Sequence, residues 1–225
     1  MIGKDGGNDY LSGTIMNTQC KLLGVFDGLG GEERGEDASL IAAQTAAEYK
    51  HKKKSEKSVA ELFIKANDEI CKFAEHNQIA SMGTTAAVLA YGTKEIVLCN
   101  IGDSKIFRYS ENKLEQISKD HVSVGIYGRK PPLSQYLGIP SDEMKIVPYV
   151  AHGYYNPGDI YLICSDGLTD MVSEEEIERI IGENDFREIC EKLLNQSLES
   201  GGRDNITIIV SRVLKKKLFM GRRTK

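Results

Sequence analysis

The sequence predicts an α+β layered sandwich, on three observations. Two helix pairs stand apart from a long antiparallel run of strands. The helices carry apolar residues at i, i+3 and i+4, and the strands are short, apolar or alternating, and split by turn residues. Residues 10–27 read as a hairpin, with Tyr10 to Gly13 on one arm and Cys20 to Phe26 on the other. Glu36 to Tyr49 is helical, because Ala38, Ile41, Ala42, Thr45 and Ala46 share one face. Lys50 to Lys57 is a lysine-rich loop. Ser58 to Ile79 is a longer helix, with Ser58 as N-cap, Glu61 three residues on, and an apolar side of Leu62, Phe63, Ala66, Ile70 and Phe73. Thr84 to Tyr91, Glu95 to Ile101, Lys105 to Ser110 and Leu114 to Ser118 form an antiparallel meander. Residues 119–145 are irregular. Asp159 to Ser165 is a strand, Ser173 to Ile181 and Asp185 to Ser200 are helices with a Ser173/Glu176 capping box, and Ile206 to Leu214 is the last strand.

Composition narrows the class. The chain has 225 residues, with 40% hydrophobic and 28% charged, which fits one globular domain. The expected division is a domain over 1–214 and a basic tail over 215–225. A net charge of −4 argues against a general nucleic-acid binder. No apolar run approaches the roughly 18 residues of a membrane span. The five cysteines form no C-x-x-C pair, Cys99 and Cys164 lie inside apolar runs, and the N-terminus lacks an apolar signal core, so a reducing cytoplasmic setting is expected. The four histidines have no metal-ligand spacing, and His121 reads as a surface residue.

The chemistry sits on aspartates at strand edges. Asp27 and Asp166 each end an apolar run and precede a glycine, Gly28 and Gly167. Asp204 opens the last run after Gly201-Gly202-Arg203. One Asp-Gly is an ordinary turn signal, and each glycine reads as a sharp turn. Three such acids at one sheet rim would repel unless protons or hard divalent cations intervened.

Six segments, in order along nearly the whole chain, carry a family resemblance: Val25-Phe26-Asp27-Gly28-Leu29-Gly30-Gly31 with Gly35-Glu36-Asp37, Met82-Gly83-Thr84-Thr85, Asn100-Ile101-Gly102-Asp103-Ser104, Ser118-Lys119-Asp120-His121, Cys164-Ser165-Asp166-Gly167-Leu168-Thr169-Asp170, and Gly202-Arg203-Asp204-Asn205. The chain resembles the metal-dependent type 2C protein serine/threonine phosphatases, in their bacterial branch. The resemblance implies two stacked, mostly antiparallel β-sheets flanked by helix pairs. It implies two Mg²⁺ or Mn²⁺ ions, with a third in bacterial members. Asp27 would bridge two ions, the Gly28 carbonyl would bind one, and Asp166 and Asp204 would complete a shell. Asp9 would be the early acidic ligand, and Asp120 would join Asp166 at the third ion. Lys4 would contact substrate phosphate. Asp103 reads as a turn residue, and Asp170 as a cap or outer support. The implied reaction is attack of a metal-activated water on phosphoserine or phosphothreonine of a protein substrate, opposing a Ser/Thr kinase and run by a monomer.

This chain departs from the family in three places. Lys4-Asp5-Gly6-Gly7-Asn8-Asp9 stands where Arg-x-x-x-Glu-Asp is usual, so a bidentate fork and one charge are missing. Leu29 stands where animal members carry a histidine acid. The segment after Asp120-His121 is short, which implies a reduced flap. Asn8 also leaves room for an alternative reading, a pseudophosphatase that binds a partner without turnover.

Overall fold

The structure, a computed structural model, describes residues 22–30, 32–49, 55–124 and 130–214. The first hairpin arm, Lys4, Asn8, Asp9 and the basic tail lie outside these residues.

Eight strands form two four-stranded sheets. The first has the order β1 (Leu22–Val25), β2 (Ala86–Tyr91), β3 (Glu95–Ile101), β6 (Tyr149–Tyr154). The second has the order β5 (Lys113–Gln116), β4 (Lys105–Ser110), β7 (Ile160–Cys164), β8 (Ile208–Arg212). Every paired neighbour is antiparallel. Helices α1 (Gly35–Glu48) and α2 (Glu56–His76) cover the first sheet, while α3 (Asp166–Thr169), α4 (Glu174–Glu183) and α5 (Ile189–Glu199) cover the second. The expected α-β-β-α sandwich is therefore the observed fold.

The period-2 geometry of strands sorts the side chains into three apolar layers. From β2, Ala86, Val88 and Ala90 meet the first helix pair, while Ala87 and Leu89 face the other sheet. From β7, Leu162 and Cys164 meet the second helix group, while Tyr161 and Ile163 point between the sheets. Both faces are buried, so β2 and β7 read as continuous apolar runs rather than alternating ones. Phe107 on β4 is fully buried in the second helix–sheet layer. Phe107→Ala should destabilise the fold by about 3–5 kcal/mol, checked by urea unfolding. A loss under 1 kcal/mol would mean that this layer re-collapses around the gap.

Several boundaries differ from expectation. The cap of α2 is Ser55, whose side chain accepts from Ser58 N while Ser58 Oγ accepts from Ser55 N. Ser58 is thus the third residue of a reciprocal box, not its start. The Ser173 side chain accepts from Glu176 N, but the Glu176 carboxylate binds Arg179. The expected meander is broken, because β3 and β4 belong to different sheets. The chain changes sheet at Gly102–Ser104, where Gly102 has φ 93° and a Cβ would lie 2.7 Å from Thr85 Cβ. A turn signal looks the same whether the next strand pairs back or crosses over. Strand β6 lies just past the segment read as irregular and closes the open edge of β3.

Candidate metal centre

Registers place the acids. Val25 pairs Ala87, Ala86 pairs Ile101, Lys105 pairs Cys164, and Cys164 pairs Ile208. The C-terminal ends of β1, β3 and β7 and the N-terminal ends of β2, β4 and β8 therefore share one rim. Asp27, Asp103, Asp166 and Asp204 leave the strands there.

Hydroxyl side chains pin this rim. Asp27 N donates to Thr85 Oγ1 at 3.3 Å, and the Asp27 carbonyl accepts from Thr85 N at 2.8 Å and Thr84 Oγ1 at 2.9 Å. Thr85 Oγ1 shares a 2.6 Å hydrogen bond with Ser104 Oγ, tying the Asp27 loop to the turn that carries Asp103. Across the rim, Ser165 Oγ accepts from Thr207 N at 3.0 Å and donates to the Asn205 carbonyl at 3.3 Å. That couples Asp166 to the Asp204 loop.

The glycines serve close approach rather than a left-handed turn. Neither Gly28 nor Gly167 has positive φ. A Cβ on Gly28 would lie 2.3 Å from the Gly35 carbonyl oxygen, and one on Gly167 would lie 2.2 Å from the Asn205 carbonyl oxygen. Each acid's loop thus rests directly on a second backbone segment.

The electrostatics show a site short of positive charge. Asp27 is pushed up to about 8 by burial, then by the neighbouring carboxylate of Asp166 and the charges of Asp204 and Asp103. Asp103 is raised by burial and by Asp166, against the pull of Lys130. Asp166 Oδ1 is buried with no hydrogen-bond partner. Asp159, at the far end of β7, is the internal contrast. It is more buried than the rim acids, yet it accepts from Arg108, Ser110 and Asn156 N. A satisfied carboxylate needs no further cation, whereas Asp166 keeps one buried oxygen unpartnered.

Lys130 is the main counter-charge at the rim. Its Nζ hydrogen-bonds Asp166 Oδ2, lies 2.8 Å from Asp170 Oδ2, and is 3.4 Å from Asp103 Oδ2. Partial burial opposes its charge, but the bonds to Asp166 and Asp170 outweigh that and raise its pKa. Beside it, a cleft of about 350 Å³ is lined by Lys130, Gly167, Asp170, Met171, Arg203 and Asp204.

The expected residues fare unequally. Asp27, Asp166 and Asp204 share the rim, with Gly28 beside Asp27. Asp120 is held by two side chains: Lys105 Nζ hydrogen-bonds its Oδ2, and Gln116 Nε2 donates to its Oδ1 at 2.7 Å. Asp103, read as a turn residue, faces Asp27 and Asp166. Its signal was the Gly102-Asp103-Ser104 segment itself, an acid beside a glycine at a strand edge, in the reverse order of Asp27-Gly28 and Asp166-Gly167. Lys130, in an irregular Pro/Gly stretch, had no such signal. His121 is half-buried rather than a surface residue, with Nδ1 lacking a partner and its pKa lowered by burial. Lys4 and Asp9 lie outside the described residues.

The donors are all oxygens, which suits Mg²⁺ or Mn²⁺ and not zinc. The partnerless Asp166 oxygen and the elevated Asp27 fit a divalent ion. Among the described residues no three acidic, histidine or cysteine side chains are already closed into a coordinating shell. The acids are neighbours whose charges interact, with Asp166 held by Lys130.

Comparisons with known proteins identify the family. The Protein phosphatase 2C family profile matches residues 7–215. The serine/threonine protein phosphatase PstP of Mycobacterium tuberculosis is 29% identical over 210 residues, covering 87% of this chain and 41% of the relative. This chain thus spans about two fifths of that relative's length. The serine/threonine phosphatase stp of Listeria monocytogenes is 28% identical over 209 residues, covering 83% of this chain and 82% of the relative. The crystal structure of the PstP catalytic domain in complex with two manganese ions superposes with a TM-score of 0.76 at 26% identity, covering 94% of each chain. The chain belongs to the Protein phosphatase 2C family.

Proposed function

We propose that this chain is a Mg²⁺- or Mn²⁺-dependent protein serine/threonine phosphatase. The carrying observation is the rim where carboxylates from both sheets meet, with Asp27 raised to about 8 and an Asp166 oxygen left without a partner. The two manganese ions of the PstP catalytic domain support the same reading. Asp27, with the Gly28 carbonyl, Asp166 and Asp204 would hold two ions, with Asp103 adding charge and Asp9 the expected remaining ligand. Bound divalent ions would supply hydroxide from water at neutral pH and draw charge from the phosphoryl oxygens.

The chain's own groups set the rest. Thr84, Thr85 and Ser104 hold the Asp27 and Asp103 loops in register, so little rearrangement is needed when substrate arrives. The cleft between Lys130 and Arg203 offers room for a phosphorylated side chain beside the acids. No thiol among the described residues is suited to attack. Burial pushes Cys164 up to about 12 and raises Cys99 and Cys71, and Cys190 lies on α5. Leu29 carries no proton, so the leaving alkoxide would take one from water. Lys4 would contact substrate phosphate, and the short segment after His121 would leave the cleft open to folded phosphoproteins.

The test is hydrolysis of p-nitrophenyl phosphate and of a phosphothreonine peptide, with Mn²⁺ and with EDTA. The expected result is turnover that EDTA abolishes and Mn²⁺ restores. Turnover that persists in EDTA, or none with Mn²⁺, would sink the reading.

A further inference from the structure

We infer that Lys130 is a tethered counter-ion that competes with the divalent cation for Asp166, so that cation binding and withdrawal of Lys130 are one exchange. The inference rests on the proposed metal-dependent reading of this site and concerns a residue outside its ligand set.

The geometry is explicit. Asp166 has two carboxylate oxygens: Oδ1 is buried without a partner, and Oδ2 is held by Lys130 Nζ. The same ammonium reaches Asp170 Oδ2 at 2.8 Å and Asp103 Oδ2 at 3.4 Å. One nitrogen thus touches three acids contributed by the β3–β4 crossover and by α3 with its C-terminal residue. A Mg²⁺ ion would sit about 2.0–2.1 Å from any oxygen it takes. An ammonium on the other oxygen of that carboxylate at the same time would place two cations a few ångströms apart, drawing on one negative charge. Lys130 also has somewhere to go. Its side chain is 46% exposed, and it lines the open cleft toward Arg203. Withdrawn, it would remain within reach of Asp170, which is 45% exposed.

Two consequences follow from linkage. Whatever fraction of molecules has Lys130 on Asp166 weakens apparent cation affinity by that fraction. By reciprocity, the cation must raise the exposure of Lys130. The two effects are read by different measurements, and neither depends on turnover.

The first measurement is Mn²⁺ binding to the whole chain by electron paramagnetic resonance titration, comparing wild type with Lys130→Met. Removing the ammonium should tighten Mn²⁺ binding by about fivefold, the upper scale of a partly exposed ion pair. The second is amine acetylation followed by mass spectrometry, in EDTA and in saturating Mg²⁺. Lys130 should react severalfold faster in Mg²⁺, with Lys192 on α5 as an unchanged reference. If wild type binds Mn²⁺ and Lys130→Met binds it within twofold, the exchange is refuted while the phosphatase reading stands. Unchanged Lys130 acetylation in a protein that binds Mg²⁺ refutes it equally. If neither wild type nor variant binds Mn²⁺, both readings fall together.

Discussion

Asp27→Asn should remove at least about 10³-fold of the Mn²⁺-dependent kcat/KM, some 4 kcal/mol of transition-state stabilisation, and at the same time stabilise the metal-free protein. Both effects have one cause. Asp27 is pushed up to about 8 by burial and by Asp166, Asp204 and Asp103, from 3.8 in an unfolded chain. The sign follows from proton counts. Between about pH 4 and pH 8 the folded metal-free protein keeps a proton that the unfolded chain releases, so stability falls as pH rises through that window and levels off above it. In EDTA the melting temperature of wild type should drop by several degrees from pH 5 to pH 8. Mg²⁺ should restore it at the upper end, because the ion replaces the proton as the neutralising charge. The asparagine variant, which carries no titrating group there, should show a much shallower slope. Calorimetry at three pH values with and without Mg²⁺, beside the activity assay, checks both halves. A wild-type melting temperature in EDTA that rises from pH 5 to pH 8 would contradict the burial of repelling acids at this rim.

Gly28→Ala should be as damaging by a steric route. The added methyl would sit 2.3 Å from the Gly35 carbonyl oxygen and 3.1 Å from Glu36 N, both backbone atoms at the start of α1. Nothing flexible can give way, so the Asp27 loop or the first turn of α1 must move. A loss of about 2–4 kcal/mol is expected, at the upper end of what a single added methylene does in a packed core. Gly30→Ala is the control two residues away, because a Cβ there meets nothing within 4 Å. Urea unfolding of the pair should separate them clearly. Equal stabilities would mean that the loop relaxes freely. A Gly28→Ala protein that remains folded should also bind Mn²⁺ more weakly, since the displaced backbone carries Asp27.

Much of this molecule is legible before folding. The helix faces on α1 and α2 declare themselves through 3.6-residue spacing, and most strand cores through short apolar runs between turns. Asp27 and Asp166 stand out because each ends an apolar run before a glycine, and Asp204 because it opens one after Gly202-Arg203; no apolar core tolerates a carboxylate there without cause. Other features are invisible at that level because they depend on which distant segment arrives. The Gly102–Ser104 turn reads as a hairpin and is a crossing between sheets, because local turn chemistry does not encode the partner of the next strand. Gly28 and Gly167 read as turns, and they are points where two backbones touch.

What the sequence by itself determined was the layered α+β class, the family motifs and three acids of the rim, since periodicity and residue type act locally. Only the tertiary structure decided which charges meet. Asp103 faces Asp27 and Asp166, Asp120 is engaged by Lys105 and Gln116, and Lys130 crosses from a Pro/Gly stretch to hold Asp166. Coulomb energy depends on distance through space, and distance along the chain carries almost no information about it.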